Sequence, residues 1–255
     1  HGTNHASIGP TQYTGAPILW TGNYPGRASY QDMTPWKLLQ LINNGVLSAS
    51  DSLNASTWYE IPRVYNESDK AVVRSWLDAW ENWPNTARMK IRYKFSSSPM
   101  AVLSPSDSTY AAGPWGALKH IVSGGGTVSD STSAATWYQF PRPYNHTDEL
   151  QLDYWLRVWK KWPDATRKKI RYRVQGTDLS LLAPDGTSYA GLWALDDAIT
   201  DEVQSPSDSL SADNWYRLPR TRDKDFAQAT QARIYLDALA TWPDAKRKRI
   251  RVRTK

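Results

Sequence analysis

The chain has 255 residues, 40% of them hydrophobic and 22% charged, with 14 Trp, a composition that builds a core and excludes a disordered chain. It has no Cys, which excludes disulfide frameworks and thiolate metal sites, and no apolar run of the ~18 residues that a membrane span needs. Its 31 basic and 25 acidic side chains leave a net charge of +6, which permits a polyanionic partner without requiring one.

Residues 1–29 differ in character from the rest of the chain. They carry Pro10, Pro17 and Pro25, with Ile18, Leu19 and Trp20 between. Such a segment reads as an extended amino-terminal arm, able to lie on a neighbouring subunit or to strap its own chain. The start at His1 reads as a processed or engineered terminus. His1 and His5 offer an amine and imidazoles, and this resembles the copper site of the polysaccharide monooxygenases at a single residue. The resemblance ends there, and no metal or cofactor is expected.

Beyond the arm the chain repeats itself. Trp58-Tyr59 returns as Trp137-Tyr138 and Trp215-Tyr216; Trp83-Pro84 as Trp162-Pro163 and Trp242-Pro243; Ile91-Arg92 as Ile170-Arg171 and Ile250-Arg251. Independent landmarks in one register are the mark of tandem duplication. The expected class is α+β: three repeats of about 75–80 residues at 30–108, 109–187 and 188–255, each helix–strand–helix–strand, after the extended arm 1–29.

Within each copy the first helix is expected to begin near Pro35-Trp36, Pro114-Trp115 and Leu192-Trp193, since Pro suits a first helical turn. Gly45 and the run Gly124 to Gly126 stop it in the first two copies. A Ser-Asp-Ser loop comes next, then a short strand at Trp58–Arg63, Trp137–Arg142 and Trp215–Arg220, which its Pro confines to an end or an edge. The second helix is the plainest element. Val73, Trp76, Leu77 and Trp80 share one face, as do Leu152, Trp155, Leu156 and Trp159, and then Ala232, Tyr235, Leu236 and Leu239. Asn66, Ser68 and Asp69, and again Asn145, Thr147 and Asp148, supply caps, and Trp-Pro is expected to end the helix. The last element alternates charged with apolar residues, the pattern of a half-buried strand. The stretches 103–107 and 182–186 between copies carry Pro and Asp-Gly turn chemistry.

The Trp positions on the helical face favour core filling over stacking platforms for sugars or bases. The alternating strands bring Arg92 and Lys94, then Lys169, Arg171 and Arg173, then Arg249, Arg251 and Arg253 together as candidate polyanion contacts. The competing readings are edge protection and pairing with acidic residues of a neighbouring copy. Asn54, Asn66 and Asn145 fit the glycosylation pattern, the last two also fitting caps. Neither a His nor a Gly-rich phosphate motif recurs with the repeat, so no catalytic residue is assigned.

The function expected is therefore a non-enzymatic structural or assembly protein: a virion capsid or decoration subunit, or an extracellular scaffold or filament subunit. Its partners would be other protein subunits held through Ile18, Leu19 and Trp20 of the arm. A polyanion-binding module (nucleic acid or acidic polysaccharide) and a lectin with one site per repeat are the alternatives.

Overall fold

A computed structural model describes residues 38–39, 43–44, 58–61, 63–88, 91–105, 109–124, 133–162, 170–203, 210–221, 225–248 and 250–254. The arm with Ile18, Leu19 and Trp20, the three Ser-Asp-Ser loops, Asn54, Lys169 and Arg249 lie outside the described residues. The protein is mixed α+β, and its described strands form three sheets, none closed into a barrel.

The elements run in chain order as β1 (Tyr59–Ile61), α1 (Glu67–Glu81), α2 (Asn85–Arg88), β2 (Tyr93–Phe95), β3 (Val102–Leu103), β4 (Thr109–Tyr110), α3 (Gly113–Val122), β5 (Tyr138–Phe140), α4 (His146–Lys160), β6 (Tyr172–Val174), β7 (Leu181–Leu182), β8 (Ser188–Tyr189), α5 (Leu192–Thr200), β9 (Tyr216–Leu218), α6 (Phe226–Ala240), α7 (Asp244–Arg247) and β10 (Val252–Thr254). Short 3-10 turns precede β5 and β9.

Each Trp-Tyr strand pairs in parallel with the basic strand that comes after it. Tyr59 lies beside Tyr93, Tyr138 beside Tyr172, and Tyr216 beside Val252. A parallel pair needs a crossover, and the fifteen-residue helices α1, α4 and α6 supply it. Their starts are fixed as the sequence implies: Asn66 and Asn145 are extended, and their side chains accept from the backbone amides of Asp69 and Asp148. Asp225 does the same for Gln228.

The second helix stops at Trp-Pro: α1, α4 and α6 end at Glu81, Lys160 and Ala240, one cap residue before the Trp, and the amides of Trp83 and Trp242 bond back to Trp80 and Leu239. Pro243 then takes the N-cap position of the short helix α7. The turn chemistry of 182–186 sits in a hairpin turn, where the Gly186 amide donates to the Ala183 carbonyl at 3.0 Å. Val102–Leu103 and Leu181–Leu182 form hairpins with β4 and β8, and each also pairs antiparallel with the next Trp-Tyr strand, Leu103 beside Gln139 and Leu182 beside Arg217. Two-residue strands have no alternation to detect.

One local expectation is corrected, in α6. Its buried residues are Ala227, Thr230, Gln231, Ile234, Tyr235 and Ala238. Of the expected face only Tyr235 is buried; Ala232 and Leu239 are half-buried and Leu236 is exposed. In α1 the buried residues are Lys70, Val72, Val73, Trp76, Leu77 and Trp80, while α4 is buried on both faces.

The chain divides into two interleaved compact units. The first holds residues up to Ala101 together with Ala111–Lys119 and Asn145–Lys161, so α4 belongs with α1, β1 and β2. The second holds Val102–Tyr110, His120–Tyr144 and Trp162–Lys255, which includes both four-stranded sheets and α6.

Candidate functional site

In the first unit α4 lies on α1 and β2. Gln151 reaches the edge of β2, where its Oε1 accepts from the Phe95 amide at 2.9 Å. One turn on, the Tyr154 hydroxyl accepts from the Tyr93 amide at 3.0 Å, and its ring meets Trp80 edge-on at 5.0 Å. Burial holds the Tyr154 phenol well above its ordinary pKa. Thr147 Oγ1 both accepts from the Val64 amide at 2.8 Å and donates to its carbonyl at 3.1 Å, so this hydroxyl of the Asn145 glycosylation pattern is buried in the fold.

A charge ladder flanks this contact. Glu149 pairs with Lys70 at 2.6 Å and Arg74 at 3.0 Å, and Arg157 pairs with Asp78 and Glu81, both at 2.7 Å, and with Asp153 at 3.4 Å. The ladder joins α1 to α4 along one side of the apolar seam.

In the second unit α6 meets β6 in the same manner. Gln231 Oε1 accepts from the Val174 amide at 2.7 Å. Tyr235, at the position Trp155 holds in α4, donates to the Leu179 carbonyl at 3.0 Å and meets Trp193 edge-on. Sequence reasoning missed Gln151 and Gln231, because a glutamine within a helix reads as a solvent residue. The available signal was recurrence: the two occupy matching positions, where the first copy has Val72.

The candidate basic residues fall into both units. In the first, the Arg92 guanidinium lies 4.7 Å over the Trp115 ring and Lys94 pairs with Glu60 at 3.5 Å. In the second, Arg171 lies 5.5 Å over Trp193; burial lowers its pKa, with Asp197 and Asp196 opposing. Arg251 donates to the carbonyls of Lys248 and Ile250. Arg173 and Arg253 are half-buried. The registers set Lys94 beside Glu60 and Arg173 beside Gln139, but Arg253 beside Arg217.

Eleven of the described Trp residues are buried, and Trp215 is half-buried. Their indoles therefore fill the interior. Among the described residues no group of three or more His, Asp or Glu side chains is placed to hold a metal ion, and no helix is long and apolar enough to cross a membrane.

No protein-family model matches the chain, and comparison with curated proteins and with solved structures gives no match.

Proposed function

We propose that the chain is a non-enzymatic assembly protein of three repeats, a capsid, decoration or extracellular scaffold subunit, joined to other subunits through residues 1–29. One observation carries this reading. A helix from one repeat completes the strand edge of the repeat before it, through Gln151 on Phe95 and again through Gln231 on Val174. Modules that lend helices to their neighbours are stabilised by the contacts between modules, the energetics of stacked-repeat scaffolds. The aromatic mass lies in that packing, with Trp76, Trp80, Trp155 and Trp159 all buried.

Sedimentation of the full chain and of a chain lacking residues 1–29 tests the reading. The full chain is expected to associate as concentration rises. The shortened chain is expected to stay monomeric with an unchanged circular dichroism spectrum. A full chain that is strictly monomeric at high concentration refutes the proposal.

The polyanion reading keeps one specific support, the side-by-side register of Arg217 and Arg253 in the third parallel pair. Like charges on adjacent strands repel unless an anion bridges them. A heparin column with a salt gradient tests this. Elution no later than a neutral control removes the reading. Late elution that Arg217→Ala and Arg253→Ala together advance supports it.

A further inference from the structure

In the second and third copies, the Trp that opens the first helix is seated in the copy before it. Trp115 meets Trp58 edge-on at 5.3 Å, and the Arg92 guanidinium lies 4.7 Å over its ring. Trp193 repeats this on Trp137 at 5.4 Å, with Arg171 lying 5.5 Å over it. Ala111–Lys119 of the second copy accordingly belong to the same compact unit as β1 and β2 of the first. Each seat has two fixed members, the Trp of Trp-Tyr and the Arg of Ile-Arg, and both recur in the third copy as Trp215 and Arg251.

The third seat differs in one respect. Trp58 and Trp137 are 1% and 0% exposed, whereas Trp215 is half-buried, and among the described residues no aromatic ring meets it. Arg251 holds the pose of Arg92: each donates from Nη1 to the carbonyl of the Ile before it, at 3.0 and 3.2 Å. Arg251 also donates to the Lys248 carbonyl at 2.7 Å. Such bonds use the edge of a guanidinium, while an indole stacks on its face.

We propose that Trp215 and Arg251 form a docking site for a second copy of the chain, which inserts its Trp36 there as Trp115 and Trp193 are inserted within the chain. The inference rests on the assembly reading and adds a second contact to the one made through residues 1–29. Its support is continuity with an interface that the chain already makes twice. Trp36 lies outside the described residues, but its sequence matches: Pro35-Trp36 corresponds to Pro114-Trp115. Leu38, at the position of Ala117 and Leu195, is helical and fully buried as they are. The contact joins two different surfaces, so it is heterologous, and it propagates into a filament or closes into a ring. A central indole under a guanidinium is the kind of anchor that dominates an interface.

Sedimentation velocity over a concentration series is the test. The full chain is expected to self-associate. Trp215→Ser weakens association about thirtyfold, the effect of truncating a central Trp, while melting temperature and circular dichroism hold. Arg251→Glu, at a second half-buried position, weakens it as well. Trp36→Ser removes the other half of the contact. A mixture of Trp36→Ser and Trp215→Ser chains forms one-to-one dimers and nothing larger, because each supplies the half that the other lacks. Association indifferent to both Trp215→Ser and Arg251→Glu overturns the proposal, as does a folded mixture that does not dimerise.

Trp20→Ser and a chain lacking residues 1–29 separate this contact from the arm. If they dissolve the oligomer and the Trp215 and Arg251 variants do not, joining through the arm stands and the proposal fails. If the Trp215 variant dissolves it and the shortened chain still associates, the proposal stands and joining through the arm fails.

Discussion

The indole of Trp155 closes over Gly113 so tightly that a Cβ there would stand 2.7 Å from Cε2. Tyr235, in the matching position of α6, does the same to Gly191, where a Cβ would stand 2.6 Å from the phenol oxygen. Both glycines have positive φ, +55° and +88°, and both stand where a helix begins, α3 and α5. An aromatic ring and a left-handed backbone thus demand glycine independently at each site.

Gly113→Ala and Gly191→Ala are therefore expected to lower stability by about 2–4 kcal/mol each, combining the left-handed penalty with overpacking. Gly186 provides the control: its φ is +86°, but nothing lies within 4 Å of the added Cβ. Gly186→Ala should cost only the conformational part, about 1–2 kcal/mol. Urea unfolding at constant m-value measures all three. Equal losses at the three sites would remove the ring contact from the explanation.

Gln231→Ala leaves the Val174 amide without its acceptor, and the Thr177 hydroxyl loses a second contact at 3.3 Å. A loss of about 1–3 kcal/mol is expected, since a buried donor is costly to strand. The discriminating measurement is hydrogen exchange at Val174. Its amide should exchange faster in the variant, while amides of α1 in the first unit keep their protection.

The helices were legible because their chemistry is local. A 3.6-residue period locates Trp76, Leu77 and Trp80, and an Asn with an Asp three residues on locates the caps at Asn66 and Asn145. The strands' existence was legible from Trp-Tyr and from alternation, but their parallel pairing was not, because three residues carry no partner information. The hairpins at Leu103 and Leu182 were hidden for the same reason. Leu236 shows a different limit: pattern fixes which side chains share a face, not whether anything covers it. For the site, the basic residues were readable one by one. That Arg92 and Arg171 lie over Trp115 and Trp193 depends on contacts distant in sequence.

Arg157 ties α4 to α1 through Asp78 and Glu81. It is 14% exposed and holds Asp153, which is 2% exposed, as well as Asp78 and Glu81. Arg157→Ala takes a cation away from the buried Asp153 carboxylate, and a loss of about 3–5 kcal/mol is expected. Asp78→Ala removes a partner that is itself largely exposed, so about 0–1 kcal/mol is expected. Adding Asp153→Asn to Arg157→Ala should recover part of the loss. If the double variant is no more stable than Arg157→Ala, the buried charge of Asp153 is not the cause.

Alkaline pH should unfold the protein through its tyrosines. Burial pushes the Tyr138 phenol up to about 12, with the neighbouring Tyr110 adding to it, and burial drives Tyr154, Tyr172 and Tyr235 upward as well. In an unfolded chain these phenols titrate near 10. Above that pH the folded state holds more protons than the unfolded one, so the free energy of unfolding falls as pH rises. The contribution is intact below pH ~10 and is lost as pH climbs through the folded values, for Tyr138 about 12. Unfolding free energies flat from pH 7 to 9 and declining above 10 are expected, by about 1.4 kcal/mol per pH unit for each such phenol. Tyr138→Phe should make the decline shallower, because one titrating group is gone. Phenolate absorbance should rise together with loss of near-ultraviolet circular dichroism. Ionisation of these tyrosines near pH 10 in a chain that remains folded would mean that their rings are not sealed in the core.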